Sequence, residues 1–201
     1  DGHAFCFGCN YREKAGGEQK IVIEKGNKHM DFVDGEATNL SARGISLDTC
    51  RKWDYLIGDV GGQPVQVANY KDASGKRIAQ KIRFRNKDFH TRGDIGEAGL
   101  YGQHLWSGKG KKAIVCEGEI DALSVSQAQG NKWPVYSVPN GSAGASKAIR
   151  KSIELLNGYE EVIFCFDSDD PGIKASRECA QVLPPGKAKI AKLPLKDANE
   201  M

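Results

Sequence analysis

Three short acidic clusters stand out for the chemistry their side chains could share: E-G-E-I-D at 117–121, F-D-S-D-D-P-G at 166–172 and K-D-A-N-E at 196–200. Each follows an apolar run that reads as a strand. In open α/β sheets, groups placed just beyond the strands' carboxyl ends gather along one edge. Carboxylates crowded there repel one another unless a cation joins them, and hard oxygen donors of this kind suit Mg²⁺, or Mn²⁺ in its place. Such ions activate a hydroxyl nucleophile and steady a departing phosphate. Glu117, Asp167, Asp169 and Asp197 are the candidate ligands, with Glu119 and Asp121 as supporting acids. A lone acid beside a helix start usually caps the helix or complements its dipole, and Glu119 and Asp170 are open to that plainer role. Three clusters in order, each after a strand, are not explained by capping.

Cations form a second constellation. Between positions 71 and 92 there are eight Lys or Arg residues against Asp72 and Asp88. Lys81, Arg83, Arg85 and Lys87 recur at every second position, so a strand would put them on one face with Ile82 and Phe84 turned to the core. Beside an acidic edge such a row holds triphosphates or tracks a nucleic-acid backbone; the plainer alternative is a solvated outer face.

Cys6 and Cys9 form a C-x2-C pair that offers two thiolates to a zinc ion. A structural zinc takes four ligands, so with His3 only a nearby third possibility, the pair reads as half of a zinc ribbon. The other four cysteines are scattered singly, which is reduced usage rather than a disulfide framework. G-S-A-G at 141–144 reads as a tight turn rather than a phosphate loop, and Trp53, Trp106 and Trp133 as core anchors rather than base-stacking platforms.

The elements that must position these groups fall into two grammars. Residues 1–13 are the half ribbon and 14–29 a Gly- and charge-rich linker. Residues 30–110 form an α+β segment, with a helix over 47–52 capped by Ser46 and an antiparallel hairpin over 63–70 and 76–85. From 111 strands and helices alternate: strands at 113–116, 134–138, 162–166 and 187–193, helices at 119–129, 145–156 and 171–183. Short connections of this kind require a parallel sheet covered by helices. The fold class is α/β. At 201 residues, a net charge of +3, 39% hydrophobic and 27% charged residues, the composition is that of a globular protein. It excludes a membrane span and a collagenous or disordered chain, and the charge alone does not mark a nucleic-acid binder.

Residues 111–200 resemble a TOPRIM domain, the metal-binding fold of DnaG-type primases, topoisomerases and some nucleases, with Glu117 after the first strand and Asp167-x-Asp169 after the third. D-G-H-A-F-C-F-G-C, L-S-A-R-G-I-S-L-D-T-C, Q-K-I-R-F-R-N-K-D-F and L-P-L-K-D-A-N-E further resemble, in order, the primase half of the T-odd phage (T-seven type) primase–helicases, with mitochondrial Twinkle a more distant relative. The resemblance implies a DNA primase that makes short RNA primers from NTPs on single-stranded DNA. It implies Glu117, Asp167 and Asp169 as catalytic, Lys81 and Lys87 on nucleotide phosphates, and Asp1 and His3 in template reading; as phosphate contacts on a strand face the two lysines are expected to change stability little when removed. It further implies Mg²⁺ or Mn²⁺, Zn²⁺ in the intact protein, a fused helicase, a replicative DNA polymerase, no membrane, and the cytoplasm of an infected bacterium. The family's first cysteine pair and a Walker A motif are absent from the sequence. A TOPRIM nuclease or topoisomerase-like fragment, and a non-catalytic DNA-binding module, are the competing readings.

Overall fold

The computed structural model describes residues 4–6, 11–13 and 32–201. At the N-terminus, β1 (Ala4–Cys6) and β2 (Tyr11–Glu13) pair antiparallel. The side chains of Asp1, His3, Cys6 and Cys9 and the segment 14–29 lie outside the described residues.

The first layer is a five-stranded antiparallel sheet in chain order: β3 (Gly35–Glu36), β4 (Tyr55–Val60), β5 (Gln63–Lys71), β6 (Arg77–Arg83) and β7 (Phe89–Gly93). The sequence revealed only the central hairpin. The flanking strands escape because Y-L-I-G-D-V carries no clean alternation and F-H-T-R-G is a polar, largely exposed edge. Ahead of β4, Ser46 caps α1 (Leu47–Trp53) by accepting from the Thr49 amide at 3.3 Å, as its position in the sequence predicts.

The second layer is a parallel sheet ordered β11-β10-β8-β9, built from β8 (Gly110–Cys116), β9 (Val135–Ser137), β10 (Tyr159–Cys165) and β11 (Ala188–Ile190). The connecting helices are α2 (Glu119–Ala128) after β8, α3 (Gly141–Lys151) and α4 (Ile153–Asn157) after β9, and α5 (Asp170–Ala180) after β10. The expected helix over 145–156 is two helices: it begins earlier, at Gly141, whose φ of 59° is the left-handed geometry glycine tolerates, and it breaks at Ser152. From β8 the chain steps to β9 on one side and later to β10 on the other. The boundary between β8 and β10 is therefore the topological switch point, where ligands of such sheets bind.

Of the three cores among the described residues, two hold this arrangement together. One lies under α3 and α5 and contains Val115, Tyr136, Ile149, Val162 and Phe164. The other joins the two layers, packing Trp53, Tyr55, Ala68, Tyr70 and Ala79 from the α1 and antiparallel side against Cys116, Ile120, Leu123 and Val135. Tyr101 stitches the seam. Its backbone pairs with Ser137 on the open edge of β9, and its hydroxyl donates to the Trp53 carbonyl at 2.7 Å. Trp53 is the core anchor the sequence suggests, but Trp133 is 64% exposed. A loop after the Gly130 turn carries it outward.

Candidate active site

The register of β8 and β10 decides where the acids fall. Cys116 stands opposite Cys165, so Glu117 and Asp167 emerge at the ends of neighbouring strands, at the switch point. Glu117 is held by one oxygen: its Oε1 accepts from the Ser142 amide at 3.1 Å, an amide delivered by the left-handed turn at Gly141. Its Oε2 is buried with no hydrogen-bond partner. A buried carboxylate oxygen left unpaired is costly and marks a position made for a cation or a donor from a ligand.

Asp167 is pushed up to about 6 by burial and by the charges of Glu117, Asp197 and Asp169. Asp121, one helical step beyond, is pushed up to about 7 by burial and then by Asp197 and Asp167. The predicted convergence of Glu117, Asp121, Asp167, Asp169 and Asp197 is thus present as mutual repulsion. Glycines make the crowding feasible. A Cβ on Gly118 would lie 2.7 Å from an Asp121 oxygen, and one on Gly172 would run into the Asp167 carbonyl.

Individual roles differ from what position alone suggests. Asp169, not Asp170, caps α5, its Oδ1 accepting from the Gly172 amide at 2.9 Å. Asp197 Oδ1 accepts from the amides of Asn199 and Glu200 at 3.0 and 2.9 Å. Glu119 neither caps α2 nor joins the acidic edge. Its two oxygens take the Lys81 ammonium at 2.9 and 3.2 Å, and Oε1 also accepts from the Tyr70 hydroxyl at 2.6 Å.

The cations are correspondingly rearranged. β6 ends at Arg83, so the four-residue basic row does not form. Arg85 and Lys87 lie in the turn to β7, where the Lys87 amide bonds the Phe84 carbonyl and Lys87 has a φ of 71°. Lys87 is exposed, whereas the Lys81 side chain is 14% exposed. Ile82 does turn to a small core with Val33, Val65 and Val67. The face bearing Lys81 is not a solvated one; it meets the acidic layer. Lys81 sits in a largely buried ion pair, which bears against the expectation that its loss would change stability little.

Between the layers lies a cleft of about 530 Å³, walled by Lys81, Arg83, Phe89 and Thr91 on one side and by Glu117, Asp121, Asn140 and Asp167 on the other. Lys81 and Arg83 both approach the Phe89 ring, at 5.0 and 5.7 Å from its centre. Among the described residues no three Asp, Glu, His or Cys side chains form a ready-made metal cage. An oxygen-only set with an orphaned Glu117 oxygen nonetheless suits Mg²⁺, which keeps several waters and completes its shell with substrate phosphates.

Sequence reasoning missed three residues that tie the site together. Asn199 donates to the Arg43 carbonyl at 2.8 Å and to Ser124 Oγ at 2.9 Å, and its own amide bonds both Asp121 and Asp197. Arg43 returns a bond to Asn199 Oδ1 at 3.2 Å. Tyr70 anchors Glu119. Arg43 and Asn199 lie inside quoted motifs, but their partners are 156 positions apart in sequence; nothing local signals the pairing.

Comparison with known proteins assigns both layers to described families. Residues 35–93 match the family described as bacteriophage T7 DNA helicase/primase, N-terminal a+b fold, and residues 114–201 match the Toprim-like family. The DNA helicase/primase of enterobacteria phage T3 is 42% identical over 212 residues, covering 100% of this chain and 37% of that protein, so the chain spans little more than a third of its curated relative. The crystal structure of the primase fragment of the bacteriophage T7 primase–helicase is 41% identical, with a TM-score of 0.80 over 100% of this chain and 85% of that one. A structure of T7 lagging-strand DNA polymerase interacting with primase domains of two gp4 subunits, bound to an RNA/DNA hybrid and dTTP, matches with 44% identity and a TM-score of 0.76, covering 84% of this chain and 85% of that one. The chain belongs to the family of the T7-type phage primase–helicases, whose primase fragment it matches along its whole length.

Proposed function

We propose that this chain is a DNA primase module, joining NTPs into short RNA primers on a single-stranded DNA template for lagging-strand synthesis. The observation that carries it is the cleft that sets Glu117 and Asp167, at neighbouring strand ends, opposite Lys81 and Arg83. Phosphodiester synthesis needs a nucleophilic hydroxyl, a triphosphate held in line and neutralisation of charge on the leaving pyrophosphate. Glu117, Asp167, Asp169 and Asp197 would hold Mg²⁺ or Mn²⁺, which when bound supplies Lewis-acid stabilisation of phosphate charge. Glu117 would take the proton of the attacking hydroxyl, a role supported by one oxygen fixed by Ser142 and one left unpaired.

Lys81 and Arg83 border the triphosphate position, with Lys81 oriented by Glu119. Lys87, exposed in the adjoining turn, reaches phosphates from outside the cleft. Residues 30–110 and 111–201 serve as the two halves of the catalytic unit. Residues 1–13, with Cys6 and Cys9 as half of a zinc ribbon and Asp1 and His3 as template readers, belong to the template-recognition part, reached through the linker 14–29. Its partners are single-stranded DNA, NTPs, a fused or associated helicase and the replicative DNA polymerase, in the cytoplasm of the infected host. No helix among the described residues is long and apolar enough to cross a membrane.

The test is incubation of the chain with single-stranded template, labelled NTPs and Mg²⁺. Template-dependent oligoribonucleotides support the proposal; template cleavage, or binding without synthesis, contradicts it.

A further inference from the structure

The parallel sheet has one end committed to the cleft, and its other end carries a second concavity of about 570 Å³. It opens at the amino ends of β8 and β9, beside Lys109–Lys112 and Gln129–Pro134. The sheet's two faces are unequal here. On one, Ala113, Val115, Val162 and Phe164 are buried under α3 and α5. On the other, the register partners Ile114 and Ile163 are only half-buried, and they form the floor of this groove.

The groove is mostly apolar and rimmed by positive charge. Trp106 forms one wall, fixed by its indole N–H on the Val135 carbonyl at 2.9 Å, and its ring face is already taken by the Lys52 ammonium at 4.3 Å. Trp133 stands at the mouth, 64% exposed. Lys109, Lys111, Lys112 and Lys132 surround it, and among the described residues no acidic side chain lines the groove. Of these lysines Lys112 is paired, with Glu161 at 3.1 Å. The Gln129 side-chain oxygen is buried with no hydrogen-bond partner. An exposed tryptophan beside an apolar floor is the usual anchor of a protein contact.

We propose that this groove is a docking site for an acidic peptide segment of a partner protein, one that carries a bulky apolar side chain between carboxylates. The unopposed lysines select negative charge, and the Ile114–Ile163 floor with Trp133 selects an apolar anchor. A peptide main chain also brings N–H donors, which a phosphodiester backbone lacks, and Gln129 offers an acceptor. Single-stranded nucleic acid, by contrast, calls for successive free aromatic faces along a charged track. Here one ring is free, since Lys52 occupies the other.

The experiment uses a fluorescein-labelled twelve-residue peptide of Asp and Glu around a central Phe-Leu, titrated with the full chain and read by anisotropy at low salt. Saturable binding is expected, weakened about 10-fold or more by Trp133→Ala and by Lys111→Glu with Lys132→Glu, and weakened by added salt. Primer synthesis on bare template should be unchanged in the same variants, since none lines the cleft. Equal binding by wild type and variants, or equal binding of a peptide with Asn and Gln replacing the acids, overturns the proposal. An oligo-dT that displaces the peptide and loses affinity in the same variants makes the groove a nucleic-acid site instead. Dimerisation abolished by Trp133→Ala makes it a contact between copies of the chain. Both results reject the peptide.

Discussion

Lys81 and Glu119, one on the antiparallel sheet and one on the first turn of α2, form an ion pair with side chains 14% and 9% exposed that bridges the two layers at the floor of the cleft. The Tyr70 hydroxyl bonds the same carboxylate. A pair this buried gives modest net stability while intact, but removing one partner strands the other charge away from water. Lys81 is therefore both a candidate phosphate contact and a tie between the layers.

Lys81→Met is expected to lower unfolding free energy by about 3–5 kcal/mol, the range for orphaning a buried charge. Exposed Lys87→Ala should fall within about 0.5 kcal/mol of wild type. Urea unfolding of both variants checks this. If Lys87 also contacts nucleotide, its variant raises the KM for NTP at unchanged stability, separating binding from folding in a way Lys81 cannot.

Tyr70→Phe keeps the ring in its core and deletes one hydrogen bond to a charged, buried acceptor. A loss of about 1.5–3 kcal/mol is expected. A double-mutant cycle with Glu119→Gln should show coupling of more than about 0.5 kcal/mol. Additive effects would mean that the Tyr70 hydroxyl is not coupled to the charge of the Glu119 carboxylate.

The acidic edge makes the metal-free protein sensitive to pH. Asp121 and Asp167 have their carboxyls raised to about 7 and about 6 in the folded chain, chiefly by burial and then by neighbouring acids. The folded state therefore binds more protons than the unfolded one between the ordinary carboxylate value of about 4 and those raised values. Stability should fall as pH rises through that window, with the loss complete above about 7. In EDTA, Tm is expected to be lower at pH 8 than at pH 5. Added Mg²⁺ should raise Tm more at pH 8, where the carboxylates are ionised, than at pH 5. A Tm that climbs from pH 5 to pH 8 in EDTA would contradict this electrostatic picture.

Asn199 links Arg43, Ser124, Asp121 and Asp197. Asn199→Ala should cost about 1–3 kcal/mol, since it strands the Arg43 carbonyl and leaves Ser124 Oγ with only its bond to the Ile120 carbonyl. It should also raise the Mg²⁺ concentration needed for half-maximal activity: alanine keeps the amide N–H that Asp121 and Asp197 accept from, but without the side-chain bonds to Arg43 and Ser124 that amide is no longer held in position. Half-saturation unchanged at reduced stability would leave Asn199 a purely structural clasp.

Much of this architecture was legible because the parallel layer obeys local rules. Buried runs such as V-I-F-C-F are bounded by Gly and Pro, and D-S-D lies directly beyond one of them, so strand ends and acids could be placed together. The antiparallel layer was less legible. Gly58 interrupts β4 because a side chain there would strike Val33 and the Asp34 carbonyl, a tertiary reason invisible in the strand's own pattern. Period two at Lys81–Lys87 suggested a strand that stops at Arg83, since spacing does not reveal where a turn begins. Glu119 shows the same limit. Its neighbours make it look like a cap or a metal ligand, and only a Lys 38 positions away makes it an ion-pair partner.

If Glu117 and Asp167, set at neighbouring strand ends, hold the divalent cation for template-directed nucleotide joining, loss of either carboxylate must cost both synthesis and metal binding. The direct measurement is oligoribonucleotide synthesis at saturating Mg²⁺ by Glu117→Gln, Asp167→Asn and Asp169→Ala, alongside Mg²⁺ binding by calorimetry and far-ultraviolet circular dichroism. Folded variants are expected with activity down by about 100-fold or more, the scale on which a group acting at the reacting atoms contributes. Weakened Mg²⁺ binding is also expected for Glu117→Gln and Asp167→Asn. Folded variants that keep wild-type synthesis and wild-type Mg²⁺ affinity would contradict it.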